Sequence, residues 1–227
     1  MSASFIIYDT EYWTNDGTHT RRWQGLADYP PLLTQIGAVR VALTDGLPVL
    51  DEFEQLVIPR TPDGQAVPLN PFFTQLTNIT QRQMDEKGLE LAAALTAFKD
   101  FCKDDMVISY GPDDLATLVP SCYLNGISMP FPPRQFRDAR KIFLWAGMSE
   151  EDINTNSSGT LAAHFGIELE NHHVHDARDD TYSILAALRH LEEQGSLDKN
   201  WLTFTGNPLQ WGPESLTVHG IWQKKVG

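Results

Sequence analysis

The sequence predicts an α/β domain built on a mixed central sheet flanked by helices, and three observations predict it. An apolar run, Phe5 to Tyr8, is followed by two β-rich runs, LLTQIGAVRVAL (32–43) and VLDEFEQLVIP (49–59), and the turn Thr44-Asp45-Gly46 joins them as a hairpin. Segments of helical period then alternate with short buried strands, the pattern of layered α/β architecture. A chain of 227 residues that is 41% hydrophobic is also long enough to fill one core.

Taken in order, the first strand ends in the acids Asp9 and Glu11. The polar stretch from Thr14 to Pro31 reads as a long loop, a length usually associated with function. After the hairpin, residues 59–71 carry four prolines and read as irregular, and FFTQLTNITQRQM (72–84) as short and helical with a turn at Asn78. Apolar positions 91, 94, 95, 98, 101 and 102 mark a helix over 89–102, and MVISY (106–110) a buried strand. Helices are expected at 113–124, 138–145, 158–165 and 177–193. Beyond Gly195 the composition shifts to Trp, Gly, Pro and Asn, so residues 1–195 are expected to form one domain and 196–227 a C-terminal extension.

No apolar run reaches the length of a membrane span, and residues 1–8 lack the basic start of a signal peptide. Cys102 and Cys122 give neither a disulfide framework nor a metal-knuckle spacing, and read as buried thiols in a reducing compartment. A cytoplasmic location is the resulting expectation. The net charge of −13 argues against function by general basic attraction to nucleic acid. Any polyanion must be held locally, by metals and a few cationic side chains; Arg178, Arg21, Arg22 and Arg82 are the candidates.

Three segments carry the chemistry. Asp9 and Glu11 stand two apart on a strand, so both point to one face, and two negative charges beside a buried run call for a cation. In ISYGPDDLATL (108–118) a buried strand meets a Gly-Pro turn, and two acids open the next helix. Asp113 and Asp114 are explained as helix-start acids, or Asp114 points back toward Asp9 and Glu11. In HHVHDARDDTYSILAALRHL (172–191) the apolar stripe runs through Ala177, Ile184, Leu188 and Leu191, with Asp180 on the core side and His175 just outside the helix. Four carboxylates can hold two divalent cations for a phosphoryl displacement, and a neutral histidine can take the proton of the attacking water.

Asp9-x-Glu11, Asp114 and His175-x-Ala177-x-x-Asp180 together resemble the DEDDh 3′–5′ exonuclease superfamily, the ribonuclease T and proofreading-subunit type, with its histone-mRNA and small-RNA exonuclease branch nearest. The resemblance spans about residues 4 to 192 and takes in LNPFFTQLTNITQRQMD, similar to that family's Leu-Thr-Gly-Ile segment. It implies an RNase H-like exonuclease fold and hydrolysis of single-stranded RNA or DNA 3′ ends to nucleoside 5′-monophosphates, and the chain's acidity favours short or partly single-stranded substrates. By the same resemblance, Asp9, Glu11, Asp114 and Asp180 would bind two Mg²⁺ or Mn²⁺ ions, and His175 would be the general base. Tyr12 and Trp13 would lie by the terminal sugar and base, with Leu76, Thr77 and Asn78 on its other side. Asn78 stands where that family usually has Gly, and Tyr110 where it has Trp. The competing readings are a silent member that binds nucleic acid or protein, and a small-nucleotide phosphohydrolase.

Overall fold

A computed structural model describes residues 3–21, 23 and 28–202. Its elements run β1 (Ser4–Tyr12), α1 (Thr18–Arg21), β2 (Leu33–Ala42), β3 (Val49–Leu56), α2 (Pro71–Thr77), α3 (Gln81–Lys87), α4 (Leu91–Cys102), β4 (Met106–Ser109), α5 (Asp113–Leu124), β5 (Phe136–Asp138), α6 (Arg140–Trp145), α7 (Glu150–Thr155), α8 (Leu161–His164) and α9 (Ala177–Glu193). The sheet order is β3-β2-β1-β4-β5. The β2–β3 hairpin and β1 pair antiparallel, whereas β4 and β5 run parallel to β1. The sheet is therefore mixed, as the sequence predicts, and the C-terminal ends of β1, β4 and β5 emerge along one edge.

Strand alternation assigns each face. Phe5 and Ile7 join Val39, Val41, Met106 and Ile108 under α6, α8 and α9, where Ile184, Leu185 and Leu188 are fully buried. Ile6 and Tyr8 join Ile36, Ala38 and Val107 under α4 and α5, through Leu95, Phe98, Leu118 and both cysteines. Each fully buried aliphatic side chain stabilises the fold by about 1.5–3 kcal/mol. Asp9 and Glu11 continue the odd-numbered face of β1, which is the face that α9 covers.

That approach depends on Gly37, which pairs with Asp9 across β1 and β2. A Cβ on Gly37 would overlap the backbone of Ala177 and Arg178 at the start of α9. Backbone cannot swing aside as a flexible side chain does. Gly37→Ala is expected to lower stability by about 1–3 kcal/mol, read as a drop in melting temperature. An unchanged melting temperature would show that α9 rides more loosely on the sheet.

Several local expectations need correction. The helix expected over 138–145 starts at Arg140, because Phe136–Asp138 forms edge strand β5 against Val107–Ser109. Three residues are too few to display alternation in a sequence. Residues 72–84 divide into α2 and α3: Asn78 takes a left-handed conformation (φ 59°) as the C-cap, and Thr80 and Gln83 form a capping box that starts α3. The expected helix at 158–165 shrinks to Leu161–His164, and α7, which the sequence reading missed, precedes it. The long loop contains the short turn α1.

The packed body extends past the expected boundary at 195. Leu202 is fully buried in the α9-side core, and Trp201 stacks on Trp145 with ring centroids 3.7 Å apart. Residues 203–227 of the expected extension lie outside the described residues, as does Arg22. Among the described residues, no helix is long and apolar enough to cross a membrane.

Candidate active site

The edge where β1 ends opens into a cleft of about 490 Å³. Asp9, Glu11, Asp114, Asp180 and His175 all line it. The four acids come from the end of β1, the first turn of α5 and the first turn of α9, and are 2–8% exposed. Asp113 lines the cleft as well, but the buried acid of the pair is Asp114.

Asp114 and Asp180 are held in place by hydrogen bonds. Thr10 points to the opposite face from Asp9 and Glu11, and donates both its backbone N–H (2.8 Å) and its hydroxyl (2.9 Å) to Asp114 Oδ1. Ser158 donates its hydroxyl to Asp180 Oδ2 at 3.2 Å. Asp180 Oδ1 is buried with no hydrogen-bond partner, and His172 Nε2 stands 3.9 Å away. His172 Nε2 donates to the carbonyl of Gly159 at 2.9 Å, fixing the loop that carries Ser158. A Cβ on Gly159 would overlap the Asp180 carboxylate, so this loop needs glycine to close on the site.

These acids share one electrostatic problem. Burial, then the neighbouring charges of Asp114, Asp180 and Glu11, raises Asp9 well above the usual carboxylate range. Burial, then Asp180 and Asp114, does the same to Glu11. Asp114 and Asp180 are both pushed up to about 7, mainly by burial, although the Thr10 and Ser158 hydrogen bonds oppose it. Buried like charges without a counter-ion hold protons; a bound cation removes both penalties. Hard oxygen donors and an orphaned buried oxygen are a set that suits a divalent metal. Ligand atoms of Glu11, Asp180 and His175 lie within 4.8 Å of one another, a spacing open to one ion or to a water held between them.

His175 reaches the cleft through its backbone. Its φ of 70° is left-handed, within a turn in which Asp176 N–H donates to the His173 carbonyl at 3.0 Å. Asp176 then caps α9 by accepting from the N–H groups of Arg178 and Asp179. The chain must turn sharply into the helix there, and that turn swings the imidazole over the acids. Burial and nearby His19 hold His175 below the ordinary histidine range.

The walls divide the remaining expected residues. Tyr12 and Leu76 line the cleft, joined by Phe72, one turn before Leu76 on the same face of α2. The sequence reading missed Phe72, although its i, i+4 spacing with Leu76 was a signal. Trp13, expected beside the terminal nucleotide, does not line the cleft. It is buried with Leu32 and Val67, and its Nε1–H donates to the Pro68 carbonyl at 3.0 Å. Trp13 stands just past the end of β1, where its backbone N–H donates to the Leu32 carbonyl and its ring packs away from the cleft. Thr77 is buried, its hydroxyl donating to the Phe73 carbonyl, and with Asn78 it borders a separate cavity behind α2.

The expected arginines also lie elsewhere. Arg21 is held by Asp28, Arg82 by Glu86, and Arg178 by Glu54 and Asp179. None of the three lines the cleft; Arg140, which the sequence reading passed over, does.

The geometry has counterparts among known proteins. A family model described as exonuclease, of the RNase T type, matches residues 6–188. Curated relatives include DNA polymerase III PolC-type of Streptococcus pyogenes serotype M2, 23% identical over 177 residues covering 76% of this chain. The chain spans about a tenth of the length of the curated relatives it matches. Similar solved structures include the nuclease domain of 3′hExo, a DEDDh family member bound to rAMP (TM-score 0.70, 18% identity, 87% of this chain and 96% of that one). Cell-death related nuclease 4 (CRN-4) aligns with a TM-score of 0.67 and 20% identity over 86% of this chain and 65% of its own. The zinc-bound E. coli ExoI–ssDNA complex aligns at 0.60 and 17% over 86% and 41%. The fold is therefore the RNase H-like exonuclease fold, shared with the DEDDh nuclease domain of 3′hExo, and the chain belongs to the exonuclease family of the RNase T type.

Proposed function

We propose that this protein is a divalent-metal-dependent 3′→5′ exonuclease that removes nucleoside 5′-monophosphates from single-stranded RNA or DNA ends. The observation that carries this reading is the convergence of four buried carboxylates and His175 on one cleft. The rAMP and single-stranded DNA held by the similar structures support a nucleotide in that cleft.

Asp9, Glu11, Asp114 and Asp180 would hold two Mg²⁺ or Mn²⁺ ions. Such ions supply Lewis-acid stabilisation of the phosphoryl transition state and lower the pKa of bound water. Thr10 fixes Asp114 and Ser158 fixes Asp180 in advance, leaving Asp180 Oδ1 free as a donor. A ring nitrogen of His175 accepts the proton of the attacking water, which His175 can do because it is neutral at pH 7. The new bond joins the water oxygen to phosphorus, the bond from phosphorus to the 3′ oxygen breaks, and no covalent enzyme intermediate forms. Tyr12, Phe72 and Leu76 present flat and apolar surfaces to the terminal nucleotide, a mode that tolerates any base. Thr77, bonded to the Phe73 carbonyl, and Asn78, the C-cap of α2, hold the helix that carries Phe72 and Leu76.

The test is a time course with 5′-fluorescent RNA and DNA oligomers, with Mg²⁺ or Mn²⁺ and with chelator. A ladder shortening from the 3′ end, lost on chelation, is expected. Tight oligomer binding without cleavage would favour a silent binding module instead, and cleavage of free nucleotides alone a phosphohydrolase. The chain's charge of −13 leaves no extended cationic track, so binding should show a salt slope of about one or two. Filter binding at several salt concentrations checks this; a steep slope would reveal a basic surface that composition hides.

A further inference from the structure

Arg140 is the one lysine or arginine lining the cleft among the described residues. It stands two residues after β5, and its orientation is fixed. Asp138 Oδ1 accepts from Arg140 Nε at 3.3 Å and Oδ2 from Nη2 at 3.1 Å. The same Oδ1 accepts the N–H groups of Gly111 (3.1 Å) and Arg140 itself (3.0 Å), so the carboxylate cannot turn. Gly111 has φ +108°, and a Cβ there would lie 3.2 Å from Arg140 Cζ, so the backbone passes flush against the guanidinium. Nη1 makes no hydrogen bond to the described residues, and the side chain is 30% exposed.

An ion pair this exposed contributes little to stability, whereas a guanidinium held by one edge presents its other edge as a rigid fork for an anion. Sheet order supplies the direction. The acids sit at the end of β1, and Arg140 follows β5, two strands or roughly 10 Å along the same edge. Phe72 and Leu76 belong to α2, whose Phe73 packs on Leu56 at the end of β3, on the other side of β1. A single strand with its last nucleotide at Leu76 and its scissile phosphate at the acids therefore continues toward Arg140.

We infer that Arg140 binds the phosphate of the retained strand next to the one being cut. This rests on the exonuclease reading, and its test separates the two. The substrates are a dinucleotide with only the scissile phosphate (NpN) and its 5′-phosphorylated form (pNpN), which adds the neighbouring phosphate. Wild-type protein should prefer pNpN by about 10- to 100-fold, through KM, as expected for a charge-assisted hydrogen bond. In Arg140→Gln that ratio should fall to about one. Arg140→Lys keeps the charge without the fork and should retain an intermediate ratio; it carries the test if the Gln variant melts. A ratio unchanged in both variants, or no preference in the wild type, overturns the assignment. Failure of the wild type to cut either dinucleotide or any longer oligomer overturns the exonuclease reading instead.

Discussion

Asp180→Asn is expected to lower turnover by at least ~10³-fold, since a lost ligand removes several kcal/mol of transition-state stabilisation and each 1.36 kcal/mol is about tenfold. The same substitution should make the metal-free protein more stable. Asp180 and Asp114 are raised to about 7 in the folded state, mainly by burial, above the ordinary 3.8 of an unfolded chain. For a carboxyl group raised in this way, the stabilising effect is fully present below the unfolded value and is lost as pH rises through the folded one. Metal-free wild type should therefore lose stability progressively between about pH 4 and pH 7. Asn carries no charge to neutralise, so Asp180→Asn should flatten that decline. Added Mg²⁺ or Mn²⁺ should raise the melting temperature of the wild type at pH 8 and hardly at pH 5, where protons occupy the acids. Melting curves across pH, with chelator and with metal, check all three statements. A metal-free wild type as stable at pH 8 as at pH 5 would mean that the acids are compensated by a group other than a cation.

What could be read from the sequence was what repeats or what is chemically costly. The mixed sheet was legible because the apolar run of β1, the β-rich runs of β2 and β3 around their turn, and the helical period in α4 and α9 extend over many residues. The acids stood out as a set: each segment alone has an ordinary explanation, but three of them in one domain, with a histidine beside the last, do not. Strand β5 was not legible, since three residues show no period and their pairing with β4 is set by tertiary contact. The placement of Trp13 was not legible, since its packing on Leu32 and Val67 and its bond to the Pro68 carbonyl are set by tertiary contact. Thr10, Ser158 and His172 act through the residues they hold, and such partners leave no spacing signal. Arg140 was missed because its orientation depends on Gly111 and Asp138, which lie 27 residues apart and are brought together only where β4 and β5 end side by side.

His175→Ala should lower turnover by about 10²- to 10⁴-fold, the usual contribution of a positioned acid–base group. Alanine is not a clean substitution here, because residue 175 has φ 70°, where an ordinary side chain is strained. Asparagine tolerates that backbone and has no basic nitrogen, so His175→Asn separates loss of the base from loss of the turn. Both variants should retain Mn²⁺ affinity, measured by titration calorimetry, if the four carboxylates hold the ions without the imidazole. The pH profile gives a second, independent readout. Burial and the neighbouring His19 disfavour the protonated ring, so the acid limb of the wild-type rate should fall below the ordinary histidine range. In His175→Asn that limb should disappear, leaving a slow rate that grows in proportion to hydroxide. Rates within a few-fold of wild type for both variants would remove His175 from the chemistry. A large loss of Mn²⁺ affinity would make it a ligand, in keeping with its position within 4.8 Å of the Glu11 and Asp180 oxygens.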